Sequence, residues 1–124
     1  MFKRVMQVDD DADMRFLTSL CLEDFPLVLQ QCATPQEALD QVADFRPDLL
    51  LVDFYMPGMD GLTLVEQLRQ RGVLTPVILI TGNLLHENTY DAAVTGIIGS
   101  IIKPFDVLNF YAQLQTIWRA AGYK

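Results

Sequence analysis

At 124 residues, with 51% hydrophobic and 20% charged side chains, the chain is long enough for one well-buried domain and too short for two. No apolar run reaches the roughly 18–20 residues of a membrane span. Acids at positions 9–11 follow Lys3 and Arg4, where a signal peptide would need its apolar stretch, so secretion is not expected either. Sixteen acids against nine bases give a formal charge of −7, which excludes a basic footprint for direct nucleic-acid binding and favours solubility.

In chain order, Val5–Val8 is expected as a first strand. Met14, Leu17 and Cys21, with Leu20 beside them, place an apolar stripe at helical spacing. Leu27–Cys32 is a second strand. Thr34, Pro35 and Glu37 then supply a capping residue, a first-turn proline and a capping-box carboxylate for a helix that buries Ala38, Val42 and Phe45. Leu49–Val52 is a continuous apolar run, the pattern of a strand covered on both faces. A turn over Met56–Gly61 leads to a helix marked by Leu64, Val65 and Leu68 and stopped by Gly72. Val77–Ile80 is a fourth strand, Glu87–Thr95 a short fourth helix, and Ile98–Ile102 a fifth strand interrupted by Gly99. Val107, Tyr111, Leu114 and Trp118 mark the last helix. Cys21 and Cys32 lack metal-ligand spacing and are expected as reduced core thiols.

Alternation of this kind specifies a doubly wound α/β domain over residues 1–124, a five-stranded parallel sheet with helices on both faces. Such folds bind ligands beyond the carboxyl ends of their strands. Asp9, Asp10 and Asp11 follow the first strand, Asp53 the third, Thr81 the fourth, and Lys103 with Pro104 the fifth. Several carboxylates, a hydroxyl and an ammonium therefore gather at one edge. Crowded carboxylates repel one another unless a cation neutralises them, and Mg²⁺ suits a site of that kind. Each residue also has a plainer role: Asp11 and Asp60 read as helix N-caps, Thr81 alone as a strand-end hydroxyl, Lys103 alone as a surface cation, and His86 as an exposed loop residue.

Five segments together resemble the receiver domains of bacterial response regulators: Val8–Asp11, Leu51–Asp53, Met56–Gly61, Pro76–Gly82 and Lys103–Phe105. The resemblance implies a flavodoxin-like sheet of order 2-1-3-4-5 and a phosphoryl group accepted on Asp53. It further implies Mg²⁺ held by Asp10 directly, by Asp9 mainly through water, and by Asp53 and the backbone carbonyl of Tyr55. Thr81 and Lys103 would bind phosphoryl oxygens, with Lys103–Pro104 a cis peptide. The implied donor is a phosphohistidine on a sensor histidine kinase or a histidine phosphotransfer protein, and the implied setting is the cytoplasm. A homodimer through the face of helix four, strand five and helix five is one arrangement the family uses. The run Val52–Gly82 is most similar to receivers of DNA-binding regulators, which implies transcriptional control through an output domain outside this chain.

One position departs from the family: Ser100 stands three residues before Lys103, where an aromatic is usual. A switch centred on residues 82–95, with Leu84, Leu85 and Tyr90 on its readout surface, is the expectation that follows. Three other readings compete. A haloacid-dehalogenase-type aspartyl-phosphate phosphatase needs its nucleophile after the first strand, together with a cap. A flavin carrier needs a hydroxyl- and glycine-rich loop where this chain has three acids. A degenerate receiver would lack residues that are all present here.

Overall fold

A computed structural model describes residues 1–82 and 91–124, with Ala93 described only in its backbone. Expectations for Leu84, Leu85, His86, Tyr90 and the first part of the fourth helix lie outside the described residues. The strands are β1 (Arg4–Val8), β2 (Val28–Cys32), β3 (Leu49–Asp53), β4 (Val77–Thr81) and β5 (Ile97–Ile102). The helices are α1 (Ala12–Leu22), α2 (Pro35–Phe45), α3 (Gly61–Gln70), α4 (Ala92–Thr95) and α5 (Phe110–Ala120). All strand pairs are parallel, and their order is β2-β1-β3-β4-β5.

The unbroken apolar runs behave as their composition requires. Every residue of β3 and of β4 is buried, because helices cover both faces of the sheet centre. Strand alternation divides β1 between two cores: Met6 and Val8 join α2 and α3 on one face, while Val5 packs with Leu114 and Trp118 of α5 on the other. Among the described residues, no helix is long and apolar enough to cross a membrane.

Local signals set the helix starts. Asp11 accepts bonds from the backbone N–H groups of Asp13 and Met14, Thr34 from Glu37, and Asp60 from Thr63. The box at α2 closes one residue early: Glu37 accepts from Ala33 N–H at 2.7 Å, ahead of the cap itself. Cys21 and Cys32 are free and buried. Burial raises both thiols above their ordinary value, Cys32 to about 11 with the Glu37 charge adding to it, which keeps them protonated and unreactive.

Three expectations are corrected by packing. Leu20 is 44% exposed, and Thr18, Cys21 and Leu22 form the buried face of α1. Met14, Leu17 and Cys21 pack against the core as the stripe requires, and Thr18 turns inward beside them to bond buried Gln7, at 2.9 Å. Val107 lies ahead of α5 and is 43% exposed, and Phe110 takes the first buried position. Strand β5 begins at Ile97, and a register irregularity pairs Val77 with Ile97 but Ile78 with Gly99. Gly99 lies against α5, where any Cβ would come within 2.7 Å of the Ile117 side chain.

Candidate functional site

The order of the strands reverses between β1 and β3, which opens a crevice at their carboxyl ends. Asp9 immediately follows β1, Asp53 closes β3, Thr81 closes β4, and Lys103 follows β5. Ladder bonds continue just past the strands: Asp9 N–H donates to Cys32 C=O at 3.1 Å and Lys103 N–H to Thr81 C=O at 2.8 Å. The side chains are thus placed by sheet geometry and not by loop conformation.

One carboxylate oxygen each from Asp9, Asp10 and Asp53 lies within 4.8 Å of the others. Asp9 and Asp53 are buried, at 1% and 6% exposure, and Asp10 is exposed. The Lys103 ammonium stands between the buried pair, 3.3 Å from Asp9 Oδ2 and 3.2 Å from Asp53 Oδ1. Lys103–Pro104 is cis. Thr81 is buried beside this group at the end of the neighbouring strand. Tyr55 is largely exposed, and its backbone N–H donates to the Asp53 carboxylate.

Asp53 is held above the ordinary carboxyl value of 3.8, at about 6. Burial is the main cause and the Asp9 charge the next, opposed by Lys103 and by the Tyr55 N–H. One ammonium therefore does not fully offset two buried carboxylates. A hard divalent cation would complete the neutralisation, and the oxygen-only donor set fits one, with room on the exposed Asp10 side for water.

Gly61 maintains the site from below. Its N–H donates to Phe54 C=O at 2.7 Å, and an added Cβ would lie 2.5 Å from the Asp53 carbonyl oxygen. Gly61→Ala is expected to push the start of α3 away from the end of β3 and destabilise the domain by about 1–3 kcal/mol in denaturant melts. An unchanged midpoint would show that the backbone yields without cost.

The departure at Ser100 has a structural counterpart. An open groove of about 400 Å³ lies beside it, lined also by Asn109, Gln113 and Thr116. The reading of the sequence passed over Arg15, Gln7 and Gln31, which bond around the turn that carries the acids. Gln7, set between Met6 and Val8 in an otherwise apolar strand, was the available signal.

The fold and site define an open α/β domain with an acidic, lysine-bridged pocket where its strand order reverses. Residues 5–115 match the model of the response regulator receiver domain, and the chain belongs to that family. It is therefore a receiver domain of the kind found in two-component signalling. It is 36% identical over 103 residues to the DNA-binding transcriptional regulator NtrC of Escherichia coli, covering 83% of this chain and 22% of that protein. It is 30% identical over 123 residues to the phosphate regulon transcriptional regulatory protein PhoB of Pseudomonas aeruginosa, covering 97% of this chain and 53% of that one. The chain thus spans about half or less of the length of these relatives. Among solved structures, the Vibrio cholerae chemotaxis protein CheY4 superposes with a TM-score of 0.83 at 27% identity, over 94% of this chain and 99% of that one.

Proposed function

We propose that Asp53 is the phosphoacceptor of a single receiver domain spanning 1–124, and that Thr81 and Lys103 bind the incoming phosphoryl oxygens. The observation that carries this reading is the position of the Asp53 carboxylate: at the end of the buried central strand, 3.2 Å from the Lys103 ammonium and grouped with Asp9 and Asp10. An oxygen of Asp53 forms the new bond to phosphorus as the P–N bond of a phosphohistidine breaks, and the electron pair stays on the imidazole nitrogen. The donor already carries the activated bond, so no general base is needed. Lys103 neutralises charge on the transferred group, and Thr81 donates a hydrogen bond to it. Asp9, Asp10, Asp53 and the Tyr55 carbonyl would hold Mg²⁺, which supplies charge neutralisation at the phosphoryl oxygens.

The donor protein on this reading is a sensor histidine kinase or a histidine phosphotransfer protein in the cytoplasm. The output is a protein-interaction surface. The roles of NtrC and PhoB as transcriptional regulators favour control of transcription through a further domain. Incubation with phosphoramidate and Mg²⁺ tests the proposal directly: one phosphoryl group per chain is expected, and none would overturn it.

Metal binding offers a separate check. Asp10 is the exposed member of the trio, so Asp10→Ala removes a carboxylate with little disturbance of packing. Titration with Mn²⁺ is expected to show a single site in the wild type, weakened at least about tenfold in the variant. Equal affinity would place the cation elsewhere.

A further inference from the structure

We propose that Arg15 is the positioning residue of the acidic turn, setting the relative direction of Asp9 and Asp10 through the peptide that joins them. The proposal rests on the reading of Asp9 and Asp10 as cation ligands and adds a residue that never touches the cation. Arg15 lies in the first turns of α1, partly buried, and its Nη1 donates to the backbone carbonyl of Asp9 at 2.7 Å. That carbonyl belongs to the planar Asp9–Asp10 peptide unit, so holding its oxygen restricts rotation of the unit and hence the aim of Asp10.

The other atoms of Asp9 are also occupied. Its N–H bonds Cys32 C=O, Oδ1 accepts from Asp11 N–H at 2.9 Å, and Oδ2 faces Lys103. Asp10 is exposed, and no neighbouring side chain supplies comparable constraint among the bonds described around it. Its direction is therefore inherited from the peptide before it, and Arg15 is the side chain that grips that peptide.

Arg15 is itself fixed. Its backbone carbonyl accepts from Gln31 Nε2 at 2.6 Å, and the same amide nitrogen donates to Gln7 Oε1 at 2.7 Å. Gln7 in turn donates to Thr18 Oγ1, one turn further along α1. Gln7 and Gln31 are direct partners in the β1–β2 register, so their side chains stand on the same face of the sheet, under α1. Buried amides left unpaired here would be costly, which makes the register of α1 on the sheet specific in a way apolar packing alone is not. The chain of bonds runs from the edge strand through α1 to the peptide between the two acids.

A charge argument and a positioning argument predict opposite signs. If Arg15 acted only as a nearby positive charge, its removal would relieve repulsion and tighten cation binding. If it positions the turn, removal weakens binding although a repelling charge has gone. The test is Mn²⁺ titration by calorimetry on the intact chain, with the fold of each variant checked by circular dichroism. Arg15→Met is expected to lose affinity roughly 5–10-fold, the range of a support that acts through a ligand. Arg15→Lys, which keeps a donor, is expected to stay within about twofold of wild type. Thr18→Val cuts the far end of the network and is expected to lower the melting midpoint and to weaken Mn²⁺ binding less than Arg15→Met does, since the Arg15–Asp9 bond itself remains. Wild-type or tighter affinity in Arg15→Met overturns the proposal, as does equal loss in Arg15→Met and Arg15→Lys. If Arg15→Met does not fold, Arg15→Ala, which also lacks a donor, carries the same expectation. Wild-type affinity in Asp10→Ala would instead refute the underlying assignment of the ligands, so the two failures are distinguishable.

Discussion

Asp53→Asn is expected to abolish phosphoryl uptake, from one group per chain to none, when the protein is incubated with phosphoramidate or acetyl phosphate and Mg²⁺. The substitution is nearly isosteric and keeps the β3 ladder, so the fold survives it. What disappears is the nucleophile: an amide oxygen carries no full charge, and the nitrogen lone pair is delocalised. Asp9 cannot take over, because it is buried with Oδ1 bonded to Asp11 N–H and Oδ2 facing Lys103. Asp10 is accessible but follows a different strand, and among the described residues no ammonium lies at the distance from it that Lys103 keeps from Asp53. Intact-mass measurement of both proteins reads the result. Undiminished labelling of Asp53→Asn would move the acceptor to another residue.

The same substitution is expected to stabilise the metal-free protein at neutral pH. Folding raises Asp53 from 3.8 to about 6, so the native state binds its proton more tightly than the unfolded chain. Between these two values the native state is protonated while the unfolded state has lost its proton. Stability therefore falls as pH rises through that window, and above it the full penalty of the buried charge remains, on the order of 2–3 kcal/mol. Asparagine carries no such penalty. At about pH 8 without Mg²⁺, Asp53→Asn should melt roughly 5–10 °C above wild type, and the gap should close near the ordinary carboxyl value. Added Mg²⁺ should raise the wild type more than the variant, since it binds the native carboxylates and offsets their repulsion. Parallel midpoints across this range would show that Lys103 alone neutralises the pair.

The placement of these residues on strands was legible in the sequence, and so was much of the architecture. Leu49–Val52 had to be a covered strand because four consecutive apolar side chains put two on each face of the sheet and neither face can be left in water, and the N-caps Asp11, Thr34 and Asp60 announced their helices locally. Once the alternation of strands and helices is read, crossover handedness brings Asp53, Thr81 and Lys103 to one edge.

Other features were decided only by the tertiary structure. Asp9 and Asp10 are chemically identical neighbours, yet one is buried against Lys103 and the other is exposed. Successive residues leave a strand end in opposite directions, and only the packed helix determines which direction is the interior. Leu20 is left exposed and Thr18 is buried because Thr18 meets Gln7, which falls beside Gln31 in the β1–β2 register. Those residues are far apart in the sequence, and a parallel register is set by the crossover between the strands and the packing of its helix. Local pattern therefore determined which residues could reach the site, and the long-range contacts of parallel pairing determined which atoms meet there.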